Sequence, residues 1–145
     1  MGTRSNIMVE TKEGKIAVIY CHWDGYISHN GVILQEHYNS YEKAMKLIKL
    51  GDLSVLYPKC TKPAGHSFDN QVDGYTVAYG RDRGEKDCAA HYYNSITEAF
   101  SDKTSWSEYA YLFKNGAWYV AVLGQESQAF IPLFNAIEHE RNSNV

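Results

Sequence analysis

The chain has 145 residues, 44% of them hydrophobic, with 17 acidic and 14 basic side chains that give a formal net charge of −3. That length supports one domain with a real core, so we expect residues 1–145 to form a single globular domain. The acidic balance and the scattered lysines and arginines exclude a general electrostatic grip on nucleic acid, which needs a basic face.

Membrane and secretion signals are missing from the sequence. No apolar run is long enough to cross a membrane, and the opening Met1-Gly-Thr-Arg-Ser-Asn lacks the apolar core of a signal peptide. The cysteines Cys21, Cys60 and Cys88 are odd in number and have no metal-ligand spacing, which is typical of free thiols in a reducing compartment. We therefore expect a cytoplasmic protein that makes no membrane contact.

The first predicted element is a hairpin. Ser5–Thr11 and Lys15–Cys21 carry apolar residues that alternate with polar or smaller neighbours, the pattern of β-strands. A Lys-Glu-Gly turn joins the two segments, so the strands are expected to pair antiparallel.

Two helices are predicted to follow the hairpin. Ser28 is placed to cap the first helix, which runs to about Tyr38. Asn39 and Glu42 match a capping box for the second helix, and Gly51 stands where its C-cap would be.

The middle of the chain is predicted to be mostly irregular. Residues 56–72 are rich in proline, glycine and polar side chains, so we expect a long loop that serves as a lid or as an arm that contacts a partner. A strand over Tyr75–Tyr79 would then deliver the chain into the segment Tyr79-Gly-Arg-Asp-Arg-Gly-Glu85.

The last third contains the strongest local pattern. Asn115-Gly116 lies between two aromatic and β-branched runs within Tyr109–Val122, which predicts a two-residue hairpin with Phe113 opposite Trp118. Gln128–Arg141 is predicted to be the closing helix, with an apolar face made of Phe130, Leu133, Phe134 and Ile137. Together these elements indicate an α+β single domain, an antiparallel sheet with hairpins and about three helices packed on it.

Arg81 and Arg83 are the most informative pair of side chains. Two guanidinium groups stand two residues apart between Gly80 and Gly84, and in an extended segment they would point the same way and grip one phosphate together. The alternative is that they pair with Asp82, Glu85 or Asp87 and only staple a turn.

A second dense segment is Tyr20-Cys-His-Trp-Asp-Gly-Tyr26. Trp23 and Tyr26 are placed to stack on a base, while Asp24 would accept a hydrogen bond from a ring N–H or a ribose hydroxyl. The alternative, an Asp-Gly turn with Trp23 in the core, is the more common use of such a pattern.

Metal and catalytic patterns are missing. The histidines show no metal-ligand spacing, so we expect no metal and no cofactor. The neighbours Cys21 and His22 would point to opposite sides of a strand, and no glycine-flanked serine nucleophile occurs. A binding protein is therefore favoured over an enzyme.

Several ordered motifs resemble a widespread group of small uncharacterised phage-encoded proteins. These motifs are the opening Met1-Gly-Thr-Arg-Ser5, Tyr20–Tyr26 with the His29-Asn-Gly31 and His37-Tyr38 that follow, Leu50-Gly-Asp-Leu-Ser54, and Tyr79–Glu85. The similarity continues to about Asp87 and returns near Gly116–Tyr119. It implies a phage or prophage origin, and small phage proteins often act against host defence. One such class sequesters the cyclic or ADP-ribose-derived nucleotides that host immune systems use as signals.

The sequence thus predicts an anti-defence protein that binds a nucleotide-derived signal without catalysis. Arg81 and Arg83 would hold phosphates, Trp23 or Tyr26 a base and Asp24 a polar edge, with Arg4 joining them. Two alternatives stay open, an inhibitor that binds a host defence protein through its tyrosine-rich surface and a nucleotide-cleaving phosphodiesterase. Aromatic residues on both sheet faces further predict a homo-oligomer, with a dimer as the simplest form.

Overall fold

The computed structural model describes residues 2–103, 107–123 and 129–143, and it consists of one mixed sheet with helices on both faces. Its strands are β1 Ser5–Glu10, β2 Ile16–Cys21, β3 Leu53–Val55, β4 Val77–Ala78, β5 His91–Tyr93, β6 Tyr109–Lys114, β7 Ala117–Val122 and β8 Ile131–Pro132. Its α-helices are α1 Val32–His37, α2 Tyr41–Leu50, α3 Tyr79–Arg83, α4 Ile96–Lys103 and α5 Leu133–Ser143, and a π-helical turn at Ile27–Gly31 precedes α1. The predicted α+β class is confirmed, with five α-helices in the described ranges where about three were expected.

The first hairpin is confirmed. β1 and β2 pair antiparallel, with Ile7 opposite Ile19. Thr11 closes the turn, because its backbone N–H donates to the carbonyl of Lys15 at 2.8 Å and its hydroxyl accepts from the N–H of Lys15 at 3.1 Å. The hairpin fixes which side chains of the two strands share a face.

The strand order is β4-β3-β2-β1-β6-β7-β8, and β5 also pairs with β2. Two neighbouring pairs, β1 with β6 and β2 with β3, are parallel. The expected all-antiparallel sheet is therefore corrected to a mixed one. A tight hairpin dictates antiparallel pairing, whereas a long connection such as the one from β1 to β6 permits either direction.

The second hairpin has the predicted register. Phe113 lies opposite Trp118, and the other pairs run without a slip to Tyr109 opposite Val122. Asn115 and Gly116 have φ values of +53° and +79°, as a type I′ turn requires.

Apolar side chains fill both faces of the sheet. On the first face, Ile7, Ile19 and Tyr111 pack with residues of α1, α2 and α5. On the second face, Met8 and Val18 pack in one cluster with Ala99 of α4. The helices therefore cover both faces of the sheet centre.

Two predicted helix caps are corrected. Ser40, not Asn39, is the N-cap of α2, where its hydroxyl accepts from the N–H of Lys43 at 3.2 Å. Ser28 lies inside the π-helical turn, which has no side-chain cap. Gly51 ends α2 at φ +78° as expected, and a side chain there would collide with the carbonyl of Cys88.

The loop between β3 and β4 is irregular, as predicted. It contains only isolated bridges, Lys59 with Tyr75 and Ser67 with Asn70. The strand predicted for Tyr75–Tyr79 is shorter than expected, because β4 ends at Ala78 and Tyr79 begins α3.

The closing helix begins later than predicted. Gln128 lies outside the described residues, β8 pairs with β7, and α5 starts at Leu133. Leu133 and Ile137 are buried as expected. Phe134, which was assigned to the same apolar face, is 59% exposed, because one residue along a helix turns the side chain well away from its neighbour.

Candidate ligand-binding site

Arg81 is committed to contacts within the fold. Its guanidinium donates four hydrogen bonds, two to the carboxylate of Asp82 at 2.8 and 3.0 Å, one to the carbonyl of Cys60 at 2.7 Å and one to the carbonyl of Thr76 at 3.0 Å. These bonds tie α3 to both ends of the long loop. The salt-bridged alternative raised from the sequence therefore describes Arg81.

The partner carboxylate, Asp82, is buried. It also accepts from the N–H of Ala78 at 2.8 Å and lies 3.2 Å from Nε2 of His66, which is buried too. Burial acts to raise the pKa of Asp82, but the hydrogen bonds and charge of Arg81, with the other donors, outweigh it and lower that pKa below its usual value. This network holds the loop against α3.

Arg83 lies apart from Arg81. Both are in a helix, where residues two apart do not face each other, so the expected extended geometry, in which the two side chains would point the same way, is wrong. Arg83 pairs with Glu85 and its guanidinium carbon lies 4.3 Å from the ring centre of Phe68, which stacks on Tyr79. Its side chain is 43% exposed, and its part in ligand binding stays a prediction.

Trp23, Asp24 and Tyr26 form an exposed turn beside the start of the chain. Asp24 has a φ of +57°, and the N–H of Gly25 donates to the carbonyl of Thr3 at 2.8 Å. Trp23 is 43% exposed, so the alternative that placed it in the core is wrong. Burial, followed by the charge of Asp24 and a hydrogen bond to it, raises the pKa of Tyr26.

Unlike the residues of this exposed turn, Arg4 lines a cavity of about 480 Å³ on the second face of the sheet. A cavity of this size is in the range of small-molecule sites. Its lining consists of residues from β1, β2, β5 and the segments before β1, β3 and β6: Arg4, Asn6, Val18, Ile19, Tyr20, Asp52, His91 and Ser107.

The cavity walls are held by hydrogen bonds between these segments. The N–H of Tyr20 donates to Oδ1 of Asp52 at 2.9 Å, which joins β2 to the start of β3. The carbonyl of Arg4 accepts from the N–H of Glu108 at 2.9 Å, and the hydroxyl of Ser107 donates to the buried Asn6. The site is therefore built on strands rather than on loops alone.

Arg4 is the cation of this cavity. Within the described ranges no carboxylate forms an ion pair with it, in contrast to Arg81, Arg83 and Arg141. Its positive charge acts on the hydroxyl of Tyr20. Burial raises the pKa of Tyr20 and the charge of Arg4 opposes that shift, so the phenol keeps its proton at neutral pH. The cavity thus presents a fixed positive charge beside a neutral aromatic ring.

The structure brings together only part of the predicted site. Of the six predicted residues, Arg4 alone lines the cavity. Trp23 is connected to it through His22, whose ring meets the indole edge-on at 4.8 Å and whose Nδ1 lies 2.7 Å from the Tyr20 hydroxyl. Arg81 and Arg83 lie in α3 and are not among the residues that line the cavity. Tyr26 and Asp24 lie in the turn.

Sequence reasoning missed most of the cavity lining. Tyr20 and Asp52 stand within the motifs that carry the resemblance, but they were not assigned a role. Asn6 had a usable signal, because an asparagine at a core-facing position of a strand must find a polar partner. His91 and Ser107 come from distant segments, and no local pattern links them to β1.

The described residues contain no helix that is long and apolar enough to span a membrane. They also contain no group of three histidine, cysteine or acidic side chains arranged to hold a metal ion. All three cysteines are free.

Comparisons with protein-family models, with curated proteins and with solved structures give no significant match to this chain.

Proposed function

We propose that this protein binds and sequesters a nucleotide-derived signalling molecule, without converting it, in the cavity at Arg4. The observation that carries the proposal is an arginine that lines a cavity of about 480 Å³ and has no ion-pair partner among the described residues. Arginine is the side chain best suited to phosphate oxygens, and a low-dielectric wall strengthens such a contact. The phage resemblance supplies the setting, in which the ligand would be a nucleotide signal of host defence.

The other lining residues suit the rest of such a ligand. A phosphate would lie between Arg4 and the exposed imidazole of His91, while the ring of Tyr20 offers a flat surface. Asn6 and Asp52 add polar edges for hydrogen bonds from sugar or base. Mostly rigid strands hold these groups, which reduces the ordering cost of binding.

The test is a release experiment with a panel of cyclic and ADP-ribose-derived nucleotides. The protein is incubated with each nucleotide, separated from excess ligand and heated, and the released compound is analysed. We expect intact ligand from the wild type and none from Arg4→Ala. Arg141→Ala is the control, because Arg141 is an exposed arginine that pairs with Glu36 and Glu138 away from the cavity.

Each other result has a defined meaning. Release of an altered nucleotide would identify an enzyme. Equal release from Arg4→Ala and from the wild type would move the site away from this cavity. Release of no compound from the wild type would contradict nucleotide sequestration.

A second candidate function is inhibition of a host defence protein. The observation in its favour is the exposure of Trp23 and Tyr26 in one turn, since exposed aromatics often anchor protein interfaces. The double variant Trp23→Ala/Tyr26→Ala separates the two functions. It should leave nucleotide release unchanged if the cavity is the site, and it should abolish anti-defence activity in cells if a protein partner is the target.

A further inference from the structure

Three neighbouring side chains, those of Arg4, Tyr20 and His22, connect the cavity to the end of β2. Tyr20 and His22 are two residues apart at the end of β2, so their side chains lie on the same side, and the Tyr20 hydroxyl is 2.7 Å from Nδ1 of His22. The positive charge of Arg4 acts on the same hydroxyl. A guanidinium can only donate, so within this trio the phenolic hydrogen has one acceptor, Nδ1 of His22. When Nδ1 accepts this hydrogen, the neutral imidazole carries its own hydrogen on Nε2.

Protonation of His22 would reverse the direction of this hydrogen bond. In the imidazolium both ring nitrogens donate, so Nδ1–H would point at the Tyr20 oxygen. The phenolic hydrogen must then turn away from His22. Because Tyr20 lines the cavity and its pKa is raised by burial, the phenol keeps that hydrogen and can donate it to an oxygen of a bound anion.

We propose that His22, acting through Tyr20, couples anion binding in the cavity to the uptake of one proton. This inference rests on the proposed function of the cavity. The proton comes from solvent and is taken by Nδ1 of His22. Tyr20 keeps its own proton and redirects it from Nδ1 to the ligand, and no covalent bond to the ligand forms or breaks.

Other charged and titratable groups face this trio. Asp52 contacts the backbone N–H of Tyr20, and Tyr79 of α3 acts electrostatically on the Tyr20 hydroxyl. His91 of β5 lines the same cavity and is a second imidazole that can take up a proton. His91 is therefore the group from which the effect of His22 must be separated.

The first measurement needs no ligand. Nitrogen NMR of the histidine rings reports which nitrogen carries the hydrogen, and we expect the Nε2–H form for neutral His22. The Nδ1–H form would overturn the inference, because the phenolic hydrogen would then already be free of His22.

The second measurement is the affinity for 3′,5′-cyclic AMP between about pH 5 and 8, the range in which histidine titrates. The charge of this phosphodiester does not change over that range. We expect the wild-type affinity to rise as pH falls, by up to about tenfold per pH unit, since one proton is taken up on binding. Calorimetry in buffers of different ionisation enthalpy should show the same proton.

Three variants locate the proton. His22→Gln can still accept from Tyr20 but cannot be charged, and Tyr20→Phe removes the connecting hydroxyl, so both should lose the pH slope. His91→Gln should keep the pH slope.

A pH slope that survives in His22→Gln, or that disappears only in His91→Gln, overturns the coupling while leaving the cavity as a binding site. A slope that survives in Tyr20→Phe overturns the path through the phenol. If the wild type does not bind cyclic AMP at any pH, the coupling fails for this ligand, whereas the proposed function is judged by the nucleotide panel.

Discussion

Arg81 and Arg83 show that side-chain chemistry alone does not assign a role to a residue. Arg81 satisfies two backbone carbonyls and a buried carboxylate, so its donors organise the fold. Arg83 rests on Phe68 and pairs with Glu85 at the surface. Of the two glycines beside them, Gly80 lies inside α3, and Gly84 at φ +74° ends that helix in the left-handed conformation.

This difference predicts unequal effects of two similar substitutions. Arg81→Ala should lower the free energy of unfolding by about 2 to 3 kcal/mol, because it leaves the buried Asp82 without its charged partner and two carbonyls without donors. Arg83→Ala should leave the melting temperature nearly unchanged, since its ion pair is exposed. Urea unfolding of both variants measures the contrast. Equal losses would show that Arg81 is not the structural member of the pair.

At the scale of elements, local sequence patterns correctly predicted the hairpins, because local interactions in the turns determine them. The two hairpins are set by their turns, and both formed as predicted. Helix α4 was missed although Ser95 and Glu98 make a capping pattern, in which Ser95 accepts from the N–H of Glu98 at 3.2 Å and Glu98 accepts from the N–H of Asn94 at 3.1 Å. The direction of β6 beside β1 was not predictable, because no local interaction determines pairing between distant strands.

The turn of the second hairpin offers a test of conformational preference alone. Gly116 has φ +79°, and a Cβ atom added there would meet no atom within 4 Å. Gly116→Val should therefore destabilise the fold only through its backbone conformation, by about 1 to 2 kcal/mol or more. Gly116→Asn is the matched control, because asparagine tolerates this region and should lose much less. Similar melting temperatures for the two variants would be inconsistent with the type I′ turn.

At the scale of the whole molecule, the candidate site depends on contacts that no single segment encodes. The motif Tyr20–Tyr26 was singled out for Trp23, Asp24 and Tyr26, yet its first residue is the one that lines the cavity. Arg4 reaches that cavity only because β1 lies between β2 and β6, which places its N-terminal end beside Tyr20 and Ser107. The residue types suggested an anion site with an aromatic neighbour. The strand order determined that Arg4 is the arginine beside Tyr20 in the cavity.

The expectation of a homo-oligomer must now be argued from a different surface. Helices cover the centre of both sheet faces, so the uncovered apolar face on which it was based is not present in the described structure. The remaining exposed apolar side chains include two close together in sequence, Ile131 in the edge strand β8 and Phe134 at the start of α5. An edge strand with exposed apolar neighbours is a natural place for a second copy to pair.

We therefore expect a dimer that uses this edge, with a mass twice the 16.5 kDa of one chain in light scattering at micromolar concentration. Phe134→Glu should return the protein to single chains, because it places a charge at the centre of the contact. Tyr92→Glu is the matched control, since Tyr92 is an equally exposed aromatic residue in β5 on a different part of the sheet. A wild-type mass of one chain across the concentration range would contradict the dimer, and dissociation by Tyr92→Glu alone would place the contact at β5 instead.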